Sequence, residues 1–312
     1  QYIISITMVE YYLKRSISDT LSRVDKPLSG NGLWVHSTDR RTEVSSIIEH
    51  YGLDRNTVQD VYDRHELPRQ ESKDGVSYSF LRVPNAAGDT VPMLAIVTRH
   101  NFITISPHMV FSPAETDVYL TTPTSNPAAS LVALHAKIVT EYEKHIARLS
   151  EMIAKSRKHL KKHDVSNKDF IEFVDIEDQL NDYRTSLSGI NDVIGRLAEN
   201  RLGLFKHYDL ESIEDLSLHV SQLIVSIDSN IQSVRSIQSA YSTIANNTMN
   251  QRMKALTVVT ILLAIPNVFY GMYGMNIALP MQHEAWAYPA IIGFTALLIL
   301  LVFILARRFR LF

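Results

Sequence analysis

The spacing of hydrophobic positions changes twice along the chain and divides it into three parts. Residues 1–127 alternate short apolar runs with polar turns. Residues 128–250 contain no proline, and their apolar residues recur every three or four positions. Residues 251–312 hold two long apolar runs. The pattern predicts an α+β protein: an N-terminal α/β domain, then long helices, then two membrane-spanning helices at the C-terminus.

The first part contains the elements of a small sheet. Gly32–His36 is a short apolar run, and Val76–Val83 alternates apolar residues with serines, as strands do. Leu94–Thr98 and Phe102–Ser106 flank a polar triplet, which predicts a hairpin. Thr38–Tyr51 has helical spacing and is followed by a glycine. We expect a small sheet with helices packed on it, closed by a linker rich in Pro, Ser and Thr.

The second part is helical, with an apolar seam typical of a coiled coil. The seam continues towards Lys254 without a strong breaker, so the last helix should enter the membrane segment. Its length would be on the order of 60 residues, near 90 Å at 1.5 Å per residue. Lys155–Lys168, rich in Lys and His, is a solvated face or the turn between two long helices. The seam comprises Leu216, Val220, Leu223, Ile227, Ile231, Val234, Ile237 and Tyr241.

The third part carries two candidate spans. No charged residue occurs from Ala255 to Gln282 or from Ala285 to Ala306. A helix needs about 20 apolar residues to cross the hydrocarbon layer, and each run supplies them. We expect spans at about 254–274 and 286–306, joined by a loop at 275–285. Two buried helices of a soluble core are the alternative, and runs of this length argue against it.

Basic residues at the flanks predict the orientation. Arg252 and Lys254 precede the first span, Arg307, Arg308 and Arg310 follow the second, and the connecting loop has no Lys or Arg. The positive-inside rule therefore places the N-terminal part and the C-terminus in the cytoplasm of a protein of the cell membrane.

Composition excludes several classes of function. The formal net charge is −2, which gives no sign of nucleic-acid binding. The absence of cysteine excludes disulfides and thiolate metal sites. No HExxH motif, nucleophile motif or Gly-rich phosphate loop is present, so we expect no enzyme and no catalytic cofactor. His135 and His145 could bind a metal at helical spacing, but solvated positions are favoured for both.

One face of the first span is small and polar. A polar face in lipid is expensive, so it should meet protein or water. Close packing between helices is the alternative, because small residues let spans approach. The two asparagines favour water, since each amide needs hydrogen-bond partners. This face, called the polar stripe below, consists of Asn250, Met253, Thr257, Thr260, Ala264, Asn267, Gly271 and Gly274.

The first span ends at Tyr273-Gly274-Met275-Asn276. Gly and Asn are common just past helix ends, so these residues could simply terminate the helix. Asn276 would in either case present a side-chain carbonyl at the outer end of the span. Within the span, Pro266 frees one backbone carbonyl, which requires a neighbour or water.

These features together resemble the CorA family of divalent-cation transport proteins. The family's signature is Gly-Met-Asn at the end of the first of two C-terminal spans, matched here by Gly274-Met275-Asn276. The short loop, the basic C-terminal end and the long preceding helix agree with it, and Ala264–Asn267 resembles a variant found in many Gram-positive members. The resemblance implies a homopentamer in which five first spans line one pore and the cytoplasmic domains form a funnel.

The resemblance also implies roles for residues of the pore. Asn276 would form the outer ring that receives hydrated Mg²⁺, with Gly274 and Met275 shaping that mouth. Asn250 and Asn267 would form inner polar rings, and the rest of the polar stripe would line the pore. Met253 and Leu256 would form an apolar constriction.

A regulatory site is implied in the cytoplasmic part. Gln59–Asp63, and Glu214–Leu216 followed by His219, resemble segments of the family that bind magnesium between subunits. By position, Asp60 of one subunit and Asp215 of the next would share an ion that holds the pore closed. Carboxylate oxygens suit this hard cation.

The sequence therefore predicts a magnesium influx channel embedded in the lipid bilayer. Mg²⁺ would be both substrate and regulatory ligand, the membrane potential would drive uptake, and Co²⁺ and Ni²⁺ would also pass. A zinc-selective member of the same superfamily is one alternative, although Met275 argues against it. A membrane-tethered scaffold or sensor without flux is the other, and it predicts no function for Asn276.

Overall fold

The structure, a computed structural model, forms two compact units, residues 1–236 and residues 237–312. The residues described are 9–24, 31–38, 44–108, 110–160, 167–277, 281 and 283–308.

The first unit is built on one seven-stranded sheet with the order β2-β1-β3-β7-β6-β5-β4. Strands β3 and β7 are parallel, and every other neighbouring pair is antiparallel. The predicted hairpin is confirmed, with Val97 opposite Phe102. The strands are β1 (Val9–Leu13), β2 (Ser22–Val24), β3 (Trp34–Ser37), β4 (Arg69–Lys73), β5 (Val76–Pro84), β6 (Thr90–Val97) and β7 (Phe102–Ile105).

Helices cover both faces of this sheet. Helices α1 (Val44–Tyr51) and α2 (Arg55–Gln59) close a core on one face, while α3 (Pro127–Leu160) and α4 (Asn167–Ala198) contact the other. Burial on both faces explains why the end of β6 is a continuous apolar run. The predicted small sheet with helices packed on it is confirmed. The first positions of the helix expected from residue 38, residues 39–43, lie outside the described residues.

The long helices also form as predicted. Helix α5 runs from His207 to Tyr273, 67 residues, without interruption. Its seam is buried in the first unit, where Val220, Ile227 and Val234 are fully covered. Two ion pairs join α4 to α5 beside the seam, Arg184–Asp228 at 2.7 Å and Arg235–Glu177 at 2.8 Å. The turn expected near Lys155–Lys168 corresponds to residues 161–166 between α3 and α4, which lie outside the described residues.

The second unit contains the end of α5 and helix α6 (Ala287–Arg308). Both helices are long and apolar enough to cross a membrane. In their most apolar stretches only 6% and 11% of the residues are buried. Core helices of soluble proteins are mostly covered, so these helices need an apolar surrounding that the single chain does not supply. Of the loop between them, residues 278–280 and 282 lie outside the described residues, as does Arg310.

Two histidines of the first unit, His36 and His135, are buried, and the prediction of a solvated position for His135 is wrong. His135 on α3 was expected in a solvated position, but it is 1% exposed. Its Nδ1 lies 2.8 Å from the carbonyl oxygen of Leu131, and its Nε2 is buried without a partner. The Nδ1 of His36, on β3, lies 2.8 Å from the hydroxyl oxygen of Thr104. Burial disfavours the charged imidazolium and lowers the pKa of each to about 4, so both are neutral at pH 7.

These histidines predict a loss of stability in mild acid. Because the folded-state pKa lies below the ordinary 6.5, the unfolded chain takes up the proton first. The stabilisation is complete above about pH 6.5 and is lost as the pH falls towards 4, by up to about 3 kcal/mol for each histidine. His135→Leu should remove about half of this loss. Thermal midpoints of the purified protein between pH 7.5 and 4.5 would measure it.

The matched control is His207→Leu, because the side chain of His207 is 90% exposed and its replacement leaves both buried imidazoles in place. That variant should follow the pH profile of the wild type. If His135→Leu also follows it, the buried imidazole is not a source of the acid sensitivity.

Candidate functional site

The polar stripe of α5 faces away from α6. Every residue of the stripe, from Asn250 to Gly274, is exposed in the single chain. The residues that pack towards α6 recur on another face, where the ring of Phe269 lies 5.4 Å from that of Phe294. With about 100° between successive residues, the centres of the two faces lie about 170° apart. The covered face consists of Ala255, Val258, Leu262, Ile265, Phe269 and Tyr273.

This arrangement excludes one explanation of the stripe, namely packing between the two spans of a single chain. Packing between the two spans of one chain does not explain the small polar residues, because they lie on the opposite side of the helix. In a membrane the stripe must therefore meet water or another copy of the chain.

The two threonines of the stripe present oxygen acceptors outwards. The hydroxyl of Thr257 donates to the carbonyl of Met253 at 2.9 Å, and that of Thr260 donates to the carbonyl of Leu256 at 2.9 Å. Since each hydroxyl proton is used within the helix, its lone pairs remain for an outside donor. The water molecules around a cation are such donors.

Pro266 has no backbone N–H, so the carbonyl of Leu262 lacks its usual helical partner. Both residues are half-buried on the covered side of the helix. The carbonyl freed by the proline thus belongs to the face towards α6, and the polar stripe does not depend on it.

The end of the first span is tightly wound. The amide of Gly274 donates to the carbonyl of Tyr270 at 3.0 Å, and that of Met275 donates to Met272 at 3.2 Å. Neither Gly274 nor Asn276 has a positive φ, so left-handed helix termination does not account for these residue types. A β-carbon at Gly274 would lie 3.3 Å from the Tyr270 carbonyl, which favours glycine there.

Asn276 follows this turn with its side chain in solvent. It is exposed, and no hydrogen bond joins its amide to another described residue. Met275 beside it is 52% exposed. The amide is thus free to bind a ligand at the end of the helix.

Asp60 lies at a cluster of charges on the surface of the first unit. It begins a short 3-10 helix, Asp60–Tyr62, directly after α2. Its Oδ2 accepts a hydrogen bond of 2.7 Å from the guanidinium of Arg69. Arg69 also pairs with Glu71 at 2.8 Å and with Glu66. The contact of one arginine with three carboxylates was not predicted from the sequence.

Strand pairing accounts for the position of that arginine. The register of β4 with β5 sets Arg69 opposite Phe80, and the guanidinium carbon lies 4.0 Å from the ring centroid. Because β4 has no apolar residue, this pairing was not predicted from its own sequence.

Asp215 occupies an exposed position on α5, and no ion pair joins it to another described residue. His219, one turn further on, has its Nε2 3.5 Å from a carboxylate oxygen of Glu143 on α3. Within one chain, the described residues contain no group of three or more His, Cys, Asp or Glu that could hold a metal ion. An ion shared by Asp60 and Asp215 thus stays a prediction about two copies of the chain.

Comparisons with known proteins agree with this arrangement of elements. The sequence matches the family model for CorA-like Mg²⁺ transporter proteins over residues 29–308. It is 29% identical over 127 residues to the cobalt/magnesium transport protein CorA of Methanocaldococcus jannaschii, and that alignment covers 40% of each protein. The alignment therefore spans less than half the length of this relative.

Solved structures share the whole fold. The complete CorA magnesium transporter from M. jannaschii superposes with a TM-score of 0.82 at 20% identity, covering 97% of this chain and 98% of that one. The full-length CmaX protein gives 0.73 at 17% identity, with the same coverage. The cytoplasmic domain of ZntB from Vibrio parahaemolyticus gives 0.60 at 14% identity, covering 78% of this chain and 98% of that domain.

These likenesses establish the architecture of an N-terminal α/β domain, long helices and a C-terminal pair of apolar helices. The match to the family model extends over nearly the entire chain. The chain belongs to the family of CorA-like Mg²⁺ transporter proteins, with two C-terminal helices that span the plasma membrane and an N-terminal domain in the cytoplasm.

Proposed function

We propose that copies of this chain form a channel for hydrated divalent cations, with magnesium as the main ion taken up. The observation that carries the proposal is the polar stripe on the face of α5 opposite α6. One helix cannot enclose a pathway, so several copies must bring their stripes together around a common axis. The resemblance to the family implies five copies.

The mouth of such a pore would select the ion with its water shell intact. Mg²⁺ loses bound water reluctantly, so a ring of carbonyl oxygens can bind the hydrated ion through its waters. The free amide of Asn276 supplies such an oxygen from each copy. Neutral amides also release the ion readily, and Co²⁺ and Ni²⁺ hydrates should pass by the same route.

The membrane potential is sufficient to drive uptake. At about 2.3 kcal/mol per charge for each 100 mV, an entering divalent ion gains about 4.6 kcal/mol. Met253 and Leu256, both more than half exposed in the single chain, would form the apolar constriction that closes the pathway by excluding water.

Cytoplasmic magnesium would control that constriction. Asp60 and Asp215 are both exposed, and each can offer carboxylate oxygens to an ion held between neighbouring copies. When the ion leaves, the two carboxylates repel each other, which would favour the open state.

Zinc transport is the second candidate, and the observation that favours it is the likeness to the ZntB cytoplasmic domain. At 14% identity that likeness concerns the fold alone. Met275 favours magnesium, because the Gly-Met-Asn sequence that contains it resembles the signature of the magnesium-transporting members of the family. A tether without flux is disfavoured, because it leaves the polar stripe without a purpose.

Cysteine scanning tests the pore face directly, because the chain has no native cysteine. Cysteines at Thr257, Thr260 and Ala264 should react with a charged, membrane-impermeant thiol reagent in magnesium-free medium. Their rates should exceed those at Val259 and Leu263 by at least about ten-fold, since those two are exposed but lie off the stripe. Excess Mg²⁺ should slow the reaction at the stripe only. Equal rates at all five positions would argue against a water-filled pathway along this face.

The mouth is tested by Asn276→Ala in proteoliposomes that contain a magnesium-sensitive dye. Under an inside-negative potential, wild type should take up Mg²⁺, and the variant should lose at least about nine-tenths of the initial rate because the amide acceptors are gone. Asn247→Ala is the matched control, an exposed asparagine of α5 outside the stripe, and should keep the wild-type rate.

Three other results would change the assignment. Uptake unchanged in Asn276→Ala would retain the channel and reject this mouth. Zinc entering in place of magnesium, measured with a zinc-sensitive dye, would favour the second candidate. No flux of any ion from the wild type would favour the tether.

A further inference from the structure

The surroundings of Asp60 contain a positive charge that is part of the chain itself. Arg69 contacts Asp60, Glu66 and Glu71, and its guanidinium lies over the buried ring of Phe80. The three carboxylates and the one guanidinium together carry a charge of −2, which attracts cations.

Arg69 and a magnesium ion would need the same lone pairs. The Oδ2 of Asp60 already accepts a bond of 2.7 Å from Arg69. A hydrated ion bound at this carboxylate would meet the guanidinium as a neighbouring like charge. The two cations therefore exclude or weaken each other at Asp60.

The arrangement also allows Arg69 to release Asp60 without disturbing the fold. After such a release the guanidinium would still hold Glu66, whose side chain is 14% exposed, as well as Glu71 and the face of Phe80. Asp60 itself is 49% exposed and can turn towards solvent. Exchange of one cation for another thus involves only the side chain of Asp60.

We propose that Arg69 is a tethered competitor for the regulatory cation, and that it sets the magnesium concentration at which Asp60 is occupied. This inference rests on the proposed sensor role of Asp60. With Arg69 in place the site fills only at high cytoplasmic magnesium. Without Arg69 it fills at lower concentrations, so the channel closes too early.

The test uses the purified full-length protein and two readouts. One is the Mg²⁺ concentration at half of the maximal Mg²⁺-induced rise in thermal midpoint. The other is the luminal Mg²⁺ concentration that halves uptake in oriented proteoliposomes. Arg69→Gln should lower both concentrations by about three- to ten-fold, because the competing charge is gone. Arg69→Lys keeps the charge but loses the planar fork, and should lower them by about two-fold.

Arg184→Gln is the matched control. It removes an arginine that pairs with Asp228 at the same 2.7 Å in the same domain, but far along the chain from Asp60. Both concentrations should stay at their wild-type values in this variant. A shift equal to that of Arg69→Gln would mean that any lost positive charge has the effect, and would overturn the proposal.

Asp60→Asn separates this inference from the proposed sensor. If Asp60→Asn raises both concentrations while Arg69→Gln leaves them unchanged or raises them, Asp60 is a sensor and Arg69 only positions it, so the competitor role fails. If Asp60→Asn changes neither, the sensor assignment itself fails, and the role of Arg69 fails with it. Should Arg69→Gln not fold, Arg69→Lys decides by the direction of its shift.

Discussion

The cost of a polar surface in hydrocarbon is the constraint on which the rest of this structure depends. Helix α5 places Asn267 and the two threonines of the stripe at membrane depth, and no part of α6 covers them. An exposed polar face of this length is not stable in lipid, so the isolated hairpin is incomplete as a membrane structure. In the proposed channel, assembly around the stripe would remove the unfavourable contact and create the water-filled path in the same step. The need to assemble and the ability to conduct would then have one physical origin.

Continuity of α5 then relates the cytoplasmic part to the membrane part. The same helix carries the seam, which is buried as far as Ile237, and, beginning at Asn250, the polar stripe. No proline interrupts it before Pro266. A helix without a break transmits a rotation or a tilt along its axis, whereas a flexible linker would absorb it. In the proposed channel, control of the pore by cytoplasmic residues would therefore require no additional moving element.

The sequence predicted those features that depend on residue spacing within one segment, and it missed those that depend on contacts between distant segments. The seam, the stripe and the hairpin at Val97 and Phe102 all follow from spacing along one segment, and each formed as expected. Strand β4 was missed because its residues are mostly polar, and its conformation comes from pairing with β5.

The same distinction applies to single side chains. His135 was expected in solvent because its helical neighbours do not reveal how completely the sheet and α4 enclose α3. The cluster around Arg69 depends on the register of two strands and on the turn that follows α2. In the candidate site, the free amide of Asn276 and the polar face could be predicted, but the partner of Asp60 could not.

The two proposed magnesium sites differ in a way that suits their tasks. A selective mouth must release each ion quickly, and the uncharged amide of Asn276 attracts a cation only through a dipole. A sensor must instead respond to changes in the concentration of an abundant ion. Its affinity must therefore be low, although its ligands carry full charges. Exposed carboxylates in water bind weakly, and a resident guanidinium weakens them further. A buried cluster of unpaired carboxylates would stay occupied at any cytoplasmic concentration and would carry no signal. In the proposed sensor, the half-exposed and already paired Asp60 would have the low affinity that reversible sensing needs.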